Sequence, residues 1–387
     1  MKWKTAKVSS LCDLKNGKAY NADDWATEGL PIIRIQNLND SSKGFNYWSG
    51  TLDKQIHVRP KDLLLAWSGT PGTSFGAHIW NGPEGVLNQH IFRIDILYGN
   101  IEKRWFQFCL NQQLNSLIHQ AHGGVGLKHV TKGAVDALEI PLPPLAEQKR
   151  IAAILDAADA LRAKRREALA QLDALLQSTF LTLFGDPVEN PMGWPVVTIG
   201  DLLSSTAYGT STKAHEEKRG FPCLRMNNIT YAGGWDFRSL KYVDLKPKEV
   251  SKNTVHRGQI LFNRTNSKEL VGKTAVYRRD EPMAFAGYLV RGITNAEADA
   301  EYISAFLNLP QGKAILQGMC KSIVGMANIN AQEFKSISLP KPPIALQQRF
   351  AAVVKSVEHQ KAAQRGHLTE LDALFAALQH RAFRGEL

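Results

Sequence analysis

The chain has 387 residues, of which 44% are hydrophobic, and a formal net charge of +11 at neutral pH. That length supports two or more domains with real cores, and the apolar share is that of a folded globular protein. No run approaches the roughly 18 apolar residues of a membrane span, MKWKTAKVSS lacks a secretory apolar stretch, and Cys12, Cys109, Cys223 and Cys320 form no CxxC pair, which argues against zinc, disulfides and export and for a cytoplasmic protein.

Residues 1–140 form a first block. Leu30–Ile35, Asp62–Trp67 and Ile91–Ile96 read as short strands, and Lys103–Gln120 as a helix. At Ile140 begins IPLPPLAEQKRIAA. Its prolines suit a helix start, and neither glycine nor proline recurs until Gly185. The spacing predicts one helix of about 40 residues, on the order of 60 Å long, within residues 141–187. Its apolar seam is Leu155, Leu169, Leu176 and Leu183, with Leu161 alongside in a second series. Gly185-Asp186-Pro187 stops it. A second block, residues 188–338, has strands at Gln259–Phe262 and Thr274–Tyr277 and a helical stretch at Ala300–Gln317. From Leu339 runs LPKPPIALQQRFAA, opening a second long helix in residues 339–387. Val354, Leu368 and Phe375 form one seam series, Leu371 and Leu378 another, and Gly366 is expected to weaken or bend it.

The helices repeat one another at a gapless offset of 199 residues, as in Leu172-Asp-Ala-Leu175 and Leu371-Asp-Ala-Leu374. The blocks echo more faintly, for example Gly29-Leu-Pro-Ile-Ile-Arg-Ile-Gln-Asn37 with Gly220-Phe-Pro-Cys-Leu-Arg-Met-Asn-Asn228 at an offset of 191. The expected fold is α+β: two α/β domains, each followed by a long helix. Narrow apolar stripes on both helices call for a partner. The economical solution is an antiparallel coiled coil relating the halves by a pseudo-twofold axis.

No catalytic motif emerges. Asn/Asp-Pro-Pro-aromatic, Walker, HExxH and GxSxG sequences are all missing, and Glu147-Gln-Lys149 reads as an exposed helix face. The positive charge lies mainly in the blocks: +3 in residues 1–140 and +5 in 188–338, against zero in 141–187. A polyanion suits that distribution. The polar loop from Leu65 to His78 offers Trp67, Ser68, Thr70, Thr73, Ser74 and His78. Its counterpart, Phe262 to Lys273, offers Asn263, Arg264, Thr265, Asn266, Lys268 and Lys273. Arg34, Gln36 and Asn37 stand at positions matched by Arg225, Asn227 and Asn228. Asn and Gln can pair with adenine, Arg with guanine, and hydroxyls with phosphates. For any one residue a turn or capping role is as good a reading. For the paired set, recognition of two different DNA words explains more.

Two variable blocks, each followed by Pro-Leu-Pro-Pro-Leu-x-Glu-Gln-x-x-Ile or its echo (Pro141 to Ile151, Pro340 to Phe350), resemble the specificity subunit of type I restriction-modification enzymes. The resemblance implies a non-catalytic subunit with two target recognition domains, each reading half of a split double-stranded DNA site. It implies helices that set the distance between them and dock two modification subunits. Those carry S-adenosylmethionine and methylate adenine, and restriction subunits add ATP- and Mg-dependent cleavage. No cofactor or metal is expected on this chain. A DNA methyltransferase or nuclease with an unrecognised site, and a coiled-coil protein adaptor, are the alternatives.

Overall fold

The structure is a computed structural model that describes residues 3–40, 43–69, 75–120, 128–323 and 326–387. The chain forms two compact units: Met1–Arg166 with Gly366–Leu387, and Glu167–Arg365. Each long helix therefore contributes one half to each unit.

In the first unit one antiparallel sheet runs, in spatial order, Cys12–Asn16, Ile91–Ile96, Leu63–Ala66 and Gly76–Ile79. A second runs Tyr47–Trp48, Leu30–Ile33, Gly85–Leu87 and His57–Val58, with its central pair parallel. The second unit repeats both orders. Its first sheet is Leu203–Tyr208, Leu289–Thr294, Ile260–Asn263 and Thr274–Val276. Its other sheet is Lys241–Val243, Phe221–Leu224, Met283–Phe285 and Thr254–Val255, again with a parallel central pair. Leu63–Ala66 and Ile260–Asn263 are buried at every position, as expected of strands covered on both faces. The shared glycines have a steric cause. Gly29 and Gly220 have positive φ, and a Cβ there would come 2.4 Å from the Trp48 oxygen and 2.5 Å from that of Val243.

Each block is closed by a strand pair that brings its ends together. Lys4–Lys7 pairs antiparallel with Glu139–Leu142, and Val196–Thr198 with Ser338–Pro340. The closing strands lead directly into the long helices, Leu145–Phe184 and Ile344–Ala382. Gly185, at φ 80°, ends the first helix in the left-handed conformation that glycine adopts freely.

Within each unit the two helix halves lie antiparallel. In the first, Arg162 bonds Asp372 at 2.7 Å and Arg150 bonds the Leu387 carbonyl at 2.9 Å. Ile151, Leu155, Ala382 and Phe383 join the core around Trp105 and Phe106, and Phe375 and Leu378 pack against it. In the second, Lys361 bonds Asp173 at 2.6 Å, while Phe180 and Phe184 pack on Tyr302 in a core cluster that includes Phe350 and Val354. Leu176 and Leu183 pack on that cluster. Leu169, Leu368 and Leu371 are half-buried.

One expectation is corrected and another refined. Leu161 is 50% exposed and does not belong to the seam. The seam position one residue on is Arg162, whose guanidinium lies 4.4 Å from the centre of the Phe375 ring and pairs with Asp372. Its aliphatic stem can cover the apolar surface that a leucine would otherwise occupy. The stretch Ala300–Gln317 is two helices, Ala300–Asn308 and Pro310–Met319. Pro310 forces Leu309 into extended geometry (φ −63°, ψ 155°) and breaks the run. The second long helix is continuous through Gly366, which is exposed.

A matched pair of buried glutamines fixes each helix to its block. Gln148 is 1% exposed and Gln347 0%. The Gln148 oxygen accepts from the Glu102 N–H at 2.8 Å, and its amide donates to the carbonyls of Asn100 (3.1 Å) and Pro143 (2.9 Å). The Gln347 oxygen accepts from the Asp299 N–H at 2.9 Å, and its amide donates to Glu297 (3.3 Å) and Pro342 (2.8 Å). Lys149 is exposed, as expected of that turn, and Glu147 pairs with Arg150 beside it. Gln148, between them in sequence, faces inward instead.

Candidate nucleic-acid interface

The two polar loops leave matched strands. In the first unit Leu63–Ala66 continues into Trp67 and then Ser68–Gly69, which pairs with Lys128–His129. In the second Ile260–Asn263 continues into Arg264 and then Thr265–Asn266, which pairs with Met326–Asn328. The position between the strands is held by the same backbone bonds in both. The Trp67 N–H donates to the His90 carbonyl and its carbonyl accepts from Val130. The Arg264 N–H donates to Tyr288 and its carbonyl accepts from Ile329.

The candidate residues divide into those at least partly open to solvent and those buried in the fold. Gln36 and Asn227 are exposed at equivalent places, and Arg34 and Arg225 are half-buried beside them. Asn37 and Asn228 are corrections. Both are buried, and both accept the N–H three residues earlier: Asn37 from Arg34 at 3.1 Å, Asn228 from Arg225 at 2.8 Å. Their amides donate to the carbonyls of Lys43 and Asp236. They hold the turn that presents their neighbours, and cannot also read a base.

In the second loop Arg264, Thr265 and Asn266 are half-buried and Lys268 is exposed. Thr265 Oγ1 lies 3.0 Å from Asn328 Oδ1. Asn263 is fully buried and its oxygen accepts from the Thr265 N–H at 3.2 Å, so it shapes the loop from below. Lys273 is a further correction. It is 7% exposed, its ammonium donates to the Met226 carbonyl at 2.5 Å, and burial pulls its pKa down. An ammonium used this way ties the loop to the neighbouring turn and is withdrawn from DNA phosphates.

In the first loop Trp67 is half-buried and stacks on Phe92, with ring centres 5.8 Å apart. Ser68 is buried. His78 is half-buried on the strand Gly76–Ile79, and burial lowers its pKa, which favours the neutral ring. Thr70, Thr73 and Ser74 lie outside the described residues. Sequence reasoning missed Tyr208, 41% exposed, whose ring centre lies 4.9 Å from the Arg264 guanidinium. Nothing in the repeat pattern marks it, because its partner in the first unit has unlike chemistry. It missed Gln148 and Gln347 too, although the constant offset of 199 carried both.

Among the described residues no group of three His, Cys, Asp or Glu could hold a metal ion. No helix among them is long and apolar enough to cross a membrane. The four cysteines are free, and burial raises the thiol pKa of Cys12, Cys109 and Cys223, which makes them poor nucleophiles.

The family model described as "Type I restriction modification DNA specificity domain" matches residues 1–171 and again 191–373. The chain belongs to this family. It is a type I restriction-modification DNA specificity subunit with two copies of the specificity domain, and specificity subunits are the non-catalytic members of such systems. It is similar to the EcoKI specificity subunit of Escherichia coli K12, at 23% identity over all of this chain and 89% of that one. Similarity to the EcoBI specificity subunit of Escherichia coli is 24%, over all of this chain and 86% of that one. Among solved structures it resembles the type I restriction-modification S subunit from M. genitalium, with a TM-score of 0.53 at 15% identity, covering 98% of this chain and 96% of the other. The likeness is in fold: two repeated mixed domains and two long helices.

Proposed function

We propose that this specificity subunit reads a bipartite double-stranded DNA target, one half through each unit. Residues 1–140 and 188–338 act as the two target recognition domains, and residues 141–187 and 339–387 as the helices that separate them. The observation that carries this reading is the internal contrast: two units share sheet orders, closing strands and glutamine pins, yet differ in the side chains their matched loops present. A common frame with unlike reading residues suits two unlike words. Gln36, Asn227, Arg34, Arg225, Trp67, Arg264, Thr265, Asn266 and Lys268 are the contacts proposed, with base reading through the major groove, where all four base pairs differ.

The paired helices would set the spacer between the half-sites and dock two modification subunits in the cytoplasm. S-adenosylmethionine would be held by those subunits, and ATP and Mg by restriction subunits. The purified chain, incubated with DNA, S-adenosylmethionine and Mg²⁺, is expected to shift a duplex in a salt-dependent way but neither to methylate nor to cut it. Adding modification subunits is expected to bring methylation. Methyl transfer or cleavage by the chain alone would overturn the division of labour, and absence of any DNA shift would favour a protein-only adaptor.

A further inference from the structure

We propose that Trp67 and Arg264 occupy one and the same reading position in the two units, and that Tyr208 is the positioning residue that aims Arg264 at a guanine. The inference deepens the reading above and rests on it.

The equivalence stands on backbone bonds rather than on alignment. Each residue directly follows the buried central strand of its sheet, donates to the residue just before the adjacent strand (His90, Tyr288) and accepts from matched residues Val130 and Ile329. The frame holds this position on both sides while its side chain changes from an indole to a guanidinium.

Each side chain has its own platform. Trp67 stacks on Phe92, which pairs across the sheet with Asn16. The place of Phe92 is taken in the second unit by Val290, which offers no ring, and the place of Asn16 by Tyr208. The aromatic platform has thus moved one strand across. Arg264 lies over the Tyr208 ring, and the Tyr208 hydroxyl is itself fixed by the Ala331 N–H at 3.0 Å. The Arg264 Nε is buried without a hydrogen-bond partner, and Tyr208 is partly open to solvent. A guanidinium stacked on a ring keeps its planar fork oriented at little entropic cost, and that fork matches guanine O6 and N7. The half-site read by the second unit therefore contains a G·C pair under Arg264.

The test uses the full chain. Duplexes bound by the unaltered protein are selected from a randomised library, and the selected duplex is then varied one base pair at a time. Arg264→Lys keeps the charge and loses the fork. Tyr208→Leu loses the ring. Both are expected to relax discrimination at one and the same G·C pair by about 5- to 150-fold, with the other positions unchanged. Tyr208→Phe keeps the ring and is expected to retain the preference. Uniform loss over all duplexes, relaxation at different positions in the two variants, an unchanged preference in either, or a Tyr208→Phe variant as relaxed as Tyr208→Leu would each overturn the proposal. Unaltered protein that selects no sequence at all would instead overturn the half-site reading on which it rests.

Discussion

Gln148→Ala and Gln347→Ala are each expected to lower stability by about 3 kcal/mol, or roughly 6–12 °C in melting temperature for a unit of this size. Each glutamine is buried and makes three hydrogen bonds, one from the residue that precedes a block helix and two to loop carbonyls. Alanine removes the bonds and leaves buried partners unsatisfied. The loss of unmade bonds outweighs the modest net worth of made ones. A neutral amide is needed because it both donates and accepts at one point. Glutamate at either site is expected to be worse, since it loses the donors and buries a charge. Thermal melts of the single variants check this. A shift no larger than that of an exposed control such as Gln171→Ala would show that the glutamines do not hold helix to block.

Exchanging residues 188–338 for the corresponding domain of another specificity subunit is expected to replace one half of the target and leave the other intact. Affinity for the original duplex should fall on the order of 10³-fold, towards the non-specific level, because several mismatched pairs add their costs. The structural ground is that this segment starts after the helix stop at Gly185 and ends at the first residue of Ser338–Pro340, the strand that pairs with Val196–Thr198 near its start. Its downstream boundary lies within that closing strand, so the incoming domain must supply a matching strand and keep the Gln347 partners at Asp299 and Glu297 for the helices to stay in place. Binding assays on duplexes carrying the old and new half-sites in all combinations read the outcome. A change in both halves would contradict modular reading.

The sequence made the helices and the doubling plain, because long runs of strong helix formers between Pro144 and Gly185 leave little other choice. Short strands were legible to within two residues, as at Leu63–Ala66 and Ile260–Asn263. The parallel pairing of Leu30–Ile33 with Gly85–Leu87 was not, since a contact across some fifty residues leaves no local periodicity. Polar residues were harder still. Asn37 and Gln36 are neighbours with the same chemistry, yet one caps a buried turn and the other faces water. Composition cannot tell these apart, because the difference is which backbone groups lie within reach. Leu161 and Arg162 show the reverse case: an apolar residue stays outside while a charged one lies over Phe375, because Asp372 and the ring together satisfy it.

The most direct test of bipartite reading is selection of bound duplexes from a fully randomised library by the full chain with modification subunits, at a stated salt concentration. The expected result is two short specified blocks separated by a gap of constant length and free sequence. One contiguous specified block, or no enrichment over the input library, would contradict it.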